Sequence, residues 1–585
     1  MKKYYQKFAS CLIVLSLLLS LTGCFSKDSA TVQKEFDEFL EGLPARFISE
    51  NDMNLEFLFY HPENYGFEQS LLELPYSDLE DYRESYQETQ DLLKELDEFS
   101  YKKLTEDQQL TYDILKDYLT RHQLDEKFYY LDNSYLGSFI GFQAQLPLLL
   151  NEYTFEQEND LLSYFHILET APEVFKKYGD MEKERLDQGV GMSQDILDKV
   201  IEQCQNFADD EPFLIETINQ KIDAVDFYND QQKADAKAKN EKLLKNSFVK
   251  AYDDLGKQLA SYQGYSQAAG LANLPNGKEY YEYLIRSNTG IDDSVEDIQK
   301  YLEKKLSQSI TSMTSLAMKN PELFESFDFD KLKYGTFHSF EDNIDYLAQQ
   351  MAKDYPAIGA VNYEVTIVPD SMKDNFSPAA YLKGKIDAQE SDMNQIWVNG
   401  QYKETLFPTL AHEGFPGHMY QDNYFKRLNL PTIRYLIDYN GYSEGWATYI
   451  ENKSYLYADV SDEDAVMLEL YNLNNQATQC IIGLFDIGIH YEGWTYDEYI
   501  KQASQYFDLD EETLKEQYDL IIETPANYLY YYLNGMKYTD LYNDTQKKLG
   551  DQFSSQEFHQ VLLETGPSSL TILEQQIDQY IESKK

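Results

Sequence analysis

Apolar side chains recur along most of this chain at intervals of three and four, the spacing that gathers them on one face of a helix. Phe36, Phe39 and Leu40 open the pattern, which runs with breaks from Val32 to about Thr120. Leu104–Leu115 carries its own start signal: Thr105 can cap, Glu106 and Asp107 fill the first turn, and Leu110, Ile114 and Leu115 mark the buried face. Asn159–Tyr178 and Ser193–Ile218 follow the same period, and Lys233–Gln263 has the pattern of a long amphipathic helix. After a turn at Asn276-Gly277 the helical period resumes to about Lys319. It then gives way to two strands: Ala360–Val368, rich in β-branched residues and stopped by Pro369-Asp370, and Asn394–Gly400, stopped by Asn399-Gly400. An edge strand here could pair with an extended peptide, or the two could form a purely structural hairpin. From Tyr402 the chain is helical again, with Pro408 near a helix start. Thr432–Leu456, Asp462–Tyr491, a tyrosine-rich segment after Pro525 and amphipathic stretches at Phe558–Leu563 and from Leu570 complete it. The expected fold is mainly α: one large bundle-like helical domain with a cleft and a small β-sheet. Residues 32–320 form its framework half and 321–585 the half that carries the chemistry. No repeat or Pro/Gly-rich linker divides them.

The N-terminus departs from this pattern. Lys2, Lys3 and Lys7 precede an apolar run from Leu12 to Leu21, and Leu21-Thr22-Gly23-Cys24 follows. Basic flank, short apolar core and small residues describe a signal peptide over residues 1–23, too short for a bilayer span. A cysteine after Leu-x-Gly resembles a bacterial lipobox. That resemblance implies cleavage before Cys24, lipidation of its thiol, a tether over residues 24–31 and a lipid-anchored protein on the extracytoplasmic face of the cell membrane. Of four cysteines only Cys204 and Cys480 lie in the fold, and two buried free thiols are expected over a disulfide. The net charge of −52 over 585 residues argues against nucleic acid as a partner, because no basic surface is available to neutralise phosphates.

The candidate chemistry lies in His412-Glu413-Gly414-Phe415-Pro416-Gly417-His418. Two histidines and a glutamate suit a zinc hydrolase, but the spacing is not H-E-x-x-H. On a regular helix six residues at about 100° each would turn His418 about 120° away from His412. Pro416 cannot donate to the His412 carbonyl and its ring clashes there, while Gly414 and Gly417 permit unusual backbone angles. The segment is therefore expected to bulge or break, looping out two residues so that His418 swings back. Hydrolytic zinc takes three protein ligands and keeps one position open. His412 and His418 supply two. Glu444, 26 residues beyond His418 in Ser443-Glu444-Gly445-Trp446-Ala447, is the candidate third. Glu413 would be the general base that takes a proton from attacking water and passes it to the leaving amine. Tyr531 is a candidate oxyanion donor, though core packing would equally explain a tyrosine there. His490 is the other candidate, with Asp486 one turn earlier to fix its tautomer; a structural role is as well supported.

His412–His418 and Glu444–Ala447 together resemble the signature of the bacterial domain of unknown function 885 family. So do Asp486-Ile487-Gly488-Ile489-His490 with Trp494, the Pro525–Tyr531 segment and Phe558-His559. The resemblance covers most of the mature chain and is strongest after about Asn394. It implies a mainly helical fold similar to zinc dipeptidases and oligopeptidases with a deep cleft. It also implies one zinc ion on His412, His418 and Glu444, with Glu413 as base. Pro525-Ala526-Asn527 departs from the family's Pro-Gly-Gln. The expected activity is hydrolysis of short peptides by a zinc metallopeptidase. The alternatives are a zinc amide hydrolase acting on N-acyl amino acids or cell-wall peptides, and a non-catalytic binding lipoprotein.

Overall fold

The computed structural model describes residues 27–68, 70–209, 214–266, 268–325, 332, 334–368, 377–402 and 406–585. The signal segment and Cys24 lie outside the described residues. The first described helix, Ser29–Glu41, starts inside the stretch expected to be tether, because the Asp28 carboxylate accepts the Thr31 N–H and caps it.

Local rules explain most helix ends. Thr105 and Gln108 form a reciprocal capping box that starts Glu106–Arg121. The helix expected over Asn159–Tyr178 runs on as Glu158–Gln188 and stops where Gly189 takes φ 83°. Ser193–Ile218 is two helices, Gln194–Asp209 and Leu214–Ala224. Lys233–Gln263 is one rod, with a π-turn at Leu244–Phe248 joining Asp230–Leu243 to Val249–Leu259.

Five helices frame the motif: α1 Phe407–Glu413, α2 His418–Lys426, α3 Asn440–Ser454, α4 Asp462–Ile487 and α5 Asn534–Leu549. Helix α3 crosses α5 where Gly445 meets Asn534; a Cβ on Gly445 would fall 2.4 Å from the Asn534 Cβ. Trp446, next in sequence, is fully buried. It shares a core with Phe36, Leu96 and Ile114 from early in the chain and with Phe407, Ala411, Leu562 and Ile577 from late in it. Early and late parts of the chain are thus packed through a common core.

The sheet has three strands: β1 Tyr363–Ile367, β2 Ala379–Leu382 and β3 Asn394–Val398, in the order β1-β3-β2. β1 runs parallel to β3, so these two strands make a crossover pair, not a hairpin. β2 is antiparallel to β3 and forms one edge. Its short Ala-Ala-Tyr-Leu sequence lacks the β-branched run that marked its partners. Ile396, Val398 and Ala379 bury against Leu410 of α1, Met419 of α2 and Ile344, which seats the sheet on the motif. Cys204 and Cys480 are buried free thiols. Burial pushes each up to about 12. No described helix is long and apolar enough to cross a membrane.

Candidate metal centre and active site

The H-E-x₄-H segment does not bulge within one helix. It breaks into two. Helix α1 ends at Glu413, residues Gly414–Gly417 form the turn between them, and α2 begins at His418. The turn is tight: a Cβ on Gly417 would lie 1.8 Å from the His412 carbonyl oxygen and 2.3 Å from that of Ala411. The Pro416 carbonyl accepts the Trp446 indole N–H at 2.9 Å, which fastens the turn to α3. His412 and His418 are thereby brought face to edge, with ring centroids 4.8 Å apart.

Glu444 completes the group from α3. Its Oε2 lies 3.5 Å from His412 Nε2 and 3.3 Å from His418 Nε2. One donor atom from each of His412, His418 and Glu444 lies within 4.8 Å of the others. Their side chains are recessed but reachable, 12%, 16% and 21% exposed. Glu444 Oε2 is buried without a hydrogen bond of good geometry, and so is His412 Nδ1, although ionisable neighbours lie within 3.5 Å of each. A buried carboxylate oxygen left unpaired is costly, and two imidazoles with one carboxylate form a donor set suited to a divalent transition metal. The residues therefore fit the ion that the motif implies. Burial opposes protonation of His412, but the carboxylates of Glu444, Glu451 and Glu413 close to its ring raise it well above the ordinary imidazole range. Burial likewise works against ionisation of Glu444, yet the two histidines hold it below the ordinary carboxylate range.

Glu413 sits beside this group, its Oε1 4.0 Å from His412 Nε2. Its Oε2 accepts the Tyr381 backbone N–H of β2 at 2.8 Å. The Asn399 N–H donates to the Pro378 carbonyl, and Ala379 pairs with Val398. By antiparallel alternation the main-chain groups of Ala379 and Tyr381 then face away from β3, toward the site. The Tyr531 ring stacks on His412 with centroids 6.4 Å apart. Burial, then the charge of Glu444, Tyr530 and the charge of Glu413, push its phenol far above the ordinary range, so it stays protonated.

His490 is elsewhere. It is fully buried in the π-turn Gly488–Glu492 that extends α4. Its Nδ1 accepts the Leu271 N–H at 3.1 Å and its Nε2 meets the Ile521 carbonyl at 2.8 Å. Both ring nitrogens are committed to backbone, so no donor remains for an oxyanion. Asp486 does not set the tautomer either: its carboxylate accepts from the Tyr281 hydroxyl and the Ala526 N–H. The π-turn inserts an extra residue and spoils the one-turn alignment that the sequence suggested.

Sequence reasoning missed two contributors. Glu451 places Oε2 3.3 Å from His412 Nδ1, a close ion contact on the far side of the ring from Glu444. Its spacing, seven residues after Glu444 on one helix, was an available signal. The Tyr381 N–H gave none, because a backbone donor has no residue signature. Two surface cavities, of about 610 and 300 Å³, include none of these residues.

No curated protein matches the sequence. The structure is similar to that of a candidate lipoprotein from Colwellia psychrerythraea, with TM-score 0.80 and 18% identity over 94% of this chain and 100% of that one. It is also similar to a candidate lipoprotein of unknown function from Shewanella oneidensis, with TM-score 0.61 and 14% identity over 94% and 99%. At these identities the likeness speaks to the fold alone. A family model matches residues 65–577, and the chain belongs to the family of bacterial proteins of unknown function designated DUF885.

Proposed function

We propose that this protein is a zinc-dependent metallopeptidase acting on short peptides. The observation that carries the reading is the convergence of His412, His418 and Glu444, drawn from three helices, with Glu413 beside them. The three ligand residues would hold one ion, which when bound supplies Lewis-acid polarisation and lowers the pKa of water.

The chain's own groups account for the remaining steps. The Tyr381 N–H fixes one oxygen of Glu413 and leaves the other toward the site. That oxygen takes the proton as water attacks the scissile carbonyl and returns it to the departing amine, a contribution of roughly 10²–10⁴-fold for a placed general base. The protonated Tyr531 phenol donates to the carbonyl oxygen as negative charge develops there. The outward main chain of β2 beside Glu413 supports an extended substrate backbone laid along this edge.

The chain's lipobox-like Leu21–Cys24 and its likeness in fold to two candidate lipoproteins support anchoring through Cys24 at the outer face of the membrane. Metabolic labelling with a radioactive fatty acid reads that anchor, and absence of label on the wild type removes it.

The test of function is metal analysis of the purified protein, followed by a panel of free peptides, N-acyl amino acids and cell-wall peptides. The expected result is one zinc per chain and turnover of free peptides that Glu413→Gln abolishes while retaining the metal. Absence of metal, or full peptide hydrolysis by Glu413→Gln, would sink the proposal. Turnover confined to the acylated or wall substrates would reassign it as another amide hydrolase.

A further inference from the structure

We infer that Glu451 is a positioning residue for the metal centre: its carboxylate fixes the ring orientation and tautomer of His412 and strengthens its hold on the ion. This rests on the metal-centre reading above.

Glu444 and Glu451 are seven residues apart on α3, two turns of one helix face. They address opposite nitrogens of a single imidazole. Glu444 Oε2 lies 3.5 Å from His412 Nε2, and Glu451 Oε2 lies 3.3 Å from His412 Nδ1. Nε2 is also the nitrogen facing Glu413, so it is the atom turned to the centre. With Nε2 as the ligand atom, the neutral ring carries its one proton on Nδ1, opposite Glu451. A carboxylate there accepts that proton in a hydrogen bond, prevents the ring from flipping and raises the basicity of Nε2.

The surroundings of Glu451 favour this role over a general structural one. Among the described residues, His412 is the ion-pair partner that the structure gives it. Burial first, and then neighbouring charges that include Glu451, raise the phenols of Tyr334, Tyr455, Tyr471 and Tyr532. A carboxylate 25% exposed and 3.3 Å from one imidazole nitrogen is placed to act on that imidazole.

The experiment measures zinc affinity by competition with a chromophoric chelator, and the cobalt(II) absorption spectrum, for the wild type, Glu451→Ala, Glu451→Gln, Glu451→Asp and Glu444→Gln. Losing the partner of a metal-bound histidine lowers affinity about 10–100-fold. Glu451→Ala should show that loss, Glu451→Gln a smaller one and Glu451→Asp partial recovery, each with a shifted cobalt spectrum. Thermal unfolding with excess chelator separates folding damage from loss of affinity. Glu451→Ala at wild-type affinity with an unchanged spectrum overturns the inference, as does a change confined to the chelator-treated melt. If the wild type takes up no zinc, or Glu444→Gln binds as the wild type does, the metal-centre reading fails and this inference with it.

Discussion

Gly417→Ala should separate the two histidines and weaken metal binding without touching a ligand. The new Cβ would lie 1.8 Å from the His412 oxygen, 2.4 Å from its carbonyl carbon and 2.3 Å from the Ala411 oxygen. Carbon–oxygen contacts close at about 3.3 Å, so the turn must open by roughly 1.5 Å. Every opposing atom is backbone, and no side-chain rotation relieves the clash. Overpacking that side chains can absorb costs about 1–3 kcal/mol, and a 15° bond-angle distortion about 4 kcal/mol, so a loss near 4 kcal/mol is expected. The displacement falls on the link between His412 and His418, and ligand distances tolerate only about 0.2 Å. A hundredfold loss of affinity, about 2.7 kcal/mol, is therefore a modest estimate. The assay is unfolding with and without zinc at a hundred times the wild-type Kd. Zinc should stabilise the wild type by about 2.7 kcal/mol and a hundredfold weaker variant by only about 0.4 kcal/mol. Gly42→Ala serves as control, since its Cβ would meet only the Phe39 and Glu38 oxygens at 3.6 and 3.8 Å. Zinc stabilisation of Gly417→Ala equal to that of the wild type would refute the view that this turn brings the histidines together.

Tyr531→Phe should lower kcat by about 10²–10³-fold with little change in KM, the signature of a donor used in the transition state; steady-state kinetics on a cleaved peptide read it, and an unchanged kcat excludes the role. Burial pushes the Asp486 carboxyl up to about 7 and lowers the His490 imidazole to about 4. Protonated Asp486 stabilises the fold fully below the ordinary value of 3.8, an effect lost as pH rises through about 7. Neutral His490 stabilises it above the ordinary 6.5, an effect lost as pH falls through about 4. Between those limits the two slopes, each about 1.4 kcal/mol per pH unit, oppose one another. His490→Gln should remove one of them, so that denaturant-measured stability rises relative to the wild type as pH falls from 6.5 to 4.5; parallel profiles would contradict this. Ala526 is buried at φ 64°. Relief of left-handed strain worth about 1–2 kcal/mol should offset the lost methyl, about 0.8 kcal/mol, and glycine's greater unfolded-state freedom, about 0.4–1 kcal/mol. Ala526→Gly is thus expected to be near neutral in denaturant unfolding, and a loss above 2 kcal/mol would show that the strain is not relieved.

The elements legible in the sequence were those whose cause is local. Thr105 and Gln108 announce a helix start because the cap needs only four residues, and Val365, Thr366 and Ile367 announce a strand by their branching. The site was legible to the extent that it is carried by side chains: His412, Glu413, His418, Glu444 and Tyr531 are residues whose chemistry can be named before their positions are known. What was not legible depends on long-range packing. β2 is four residues long and owes its existence to β3. The π-turn at Gly488–Glu492 moves His490 off the face that a regular helix predicts, and its partners Leu271 and Ile521 are distant in sequence. A bulge or break between His412 and His418 was foreseen because Pro416 and the glycines forbid a regular helix, but they do not say which way the chain turns. That direction is set by Trp446, 30 residues later.

Helix α3 therefore organises the centre, more than the histidine segment itself does. On their own, α1 and α2 are about two to two and a half turns long, too short to hold a fixed angle by helix formation alone. Within 15 residues α3 supplies Glu444 toward both histidines, the Trp446 indole to the Pro416 carbonyl and Glu451 to the far nitrogen of His412. It is itself seated by close contact with α5, at Gly445 on Asn534, immediately after the turn that carries Tyr531. The histidine spacing can differ from H-E-x-x-H because one continuous helix is no longer required to align the ligands. Two short helices need only meet a third that fixes them from one side.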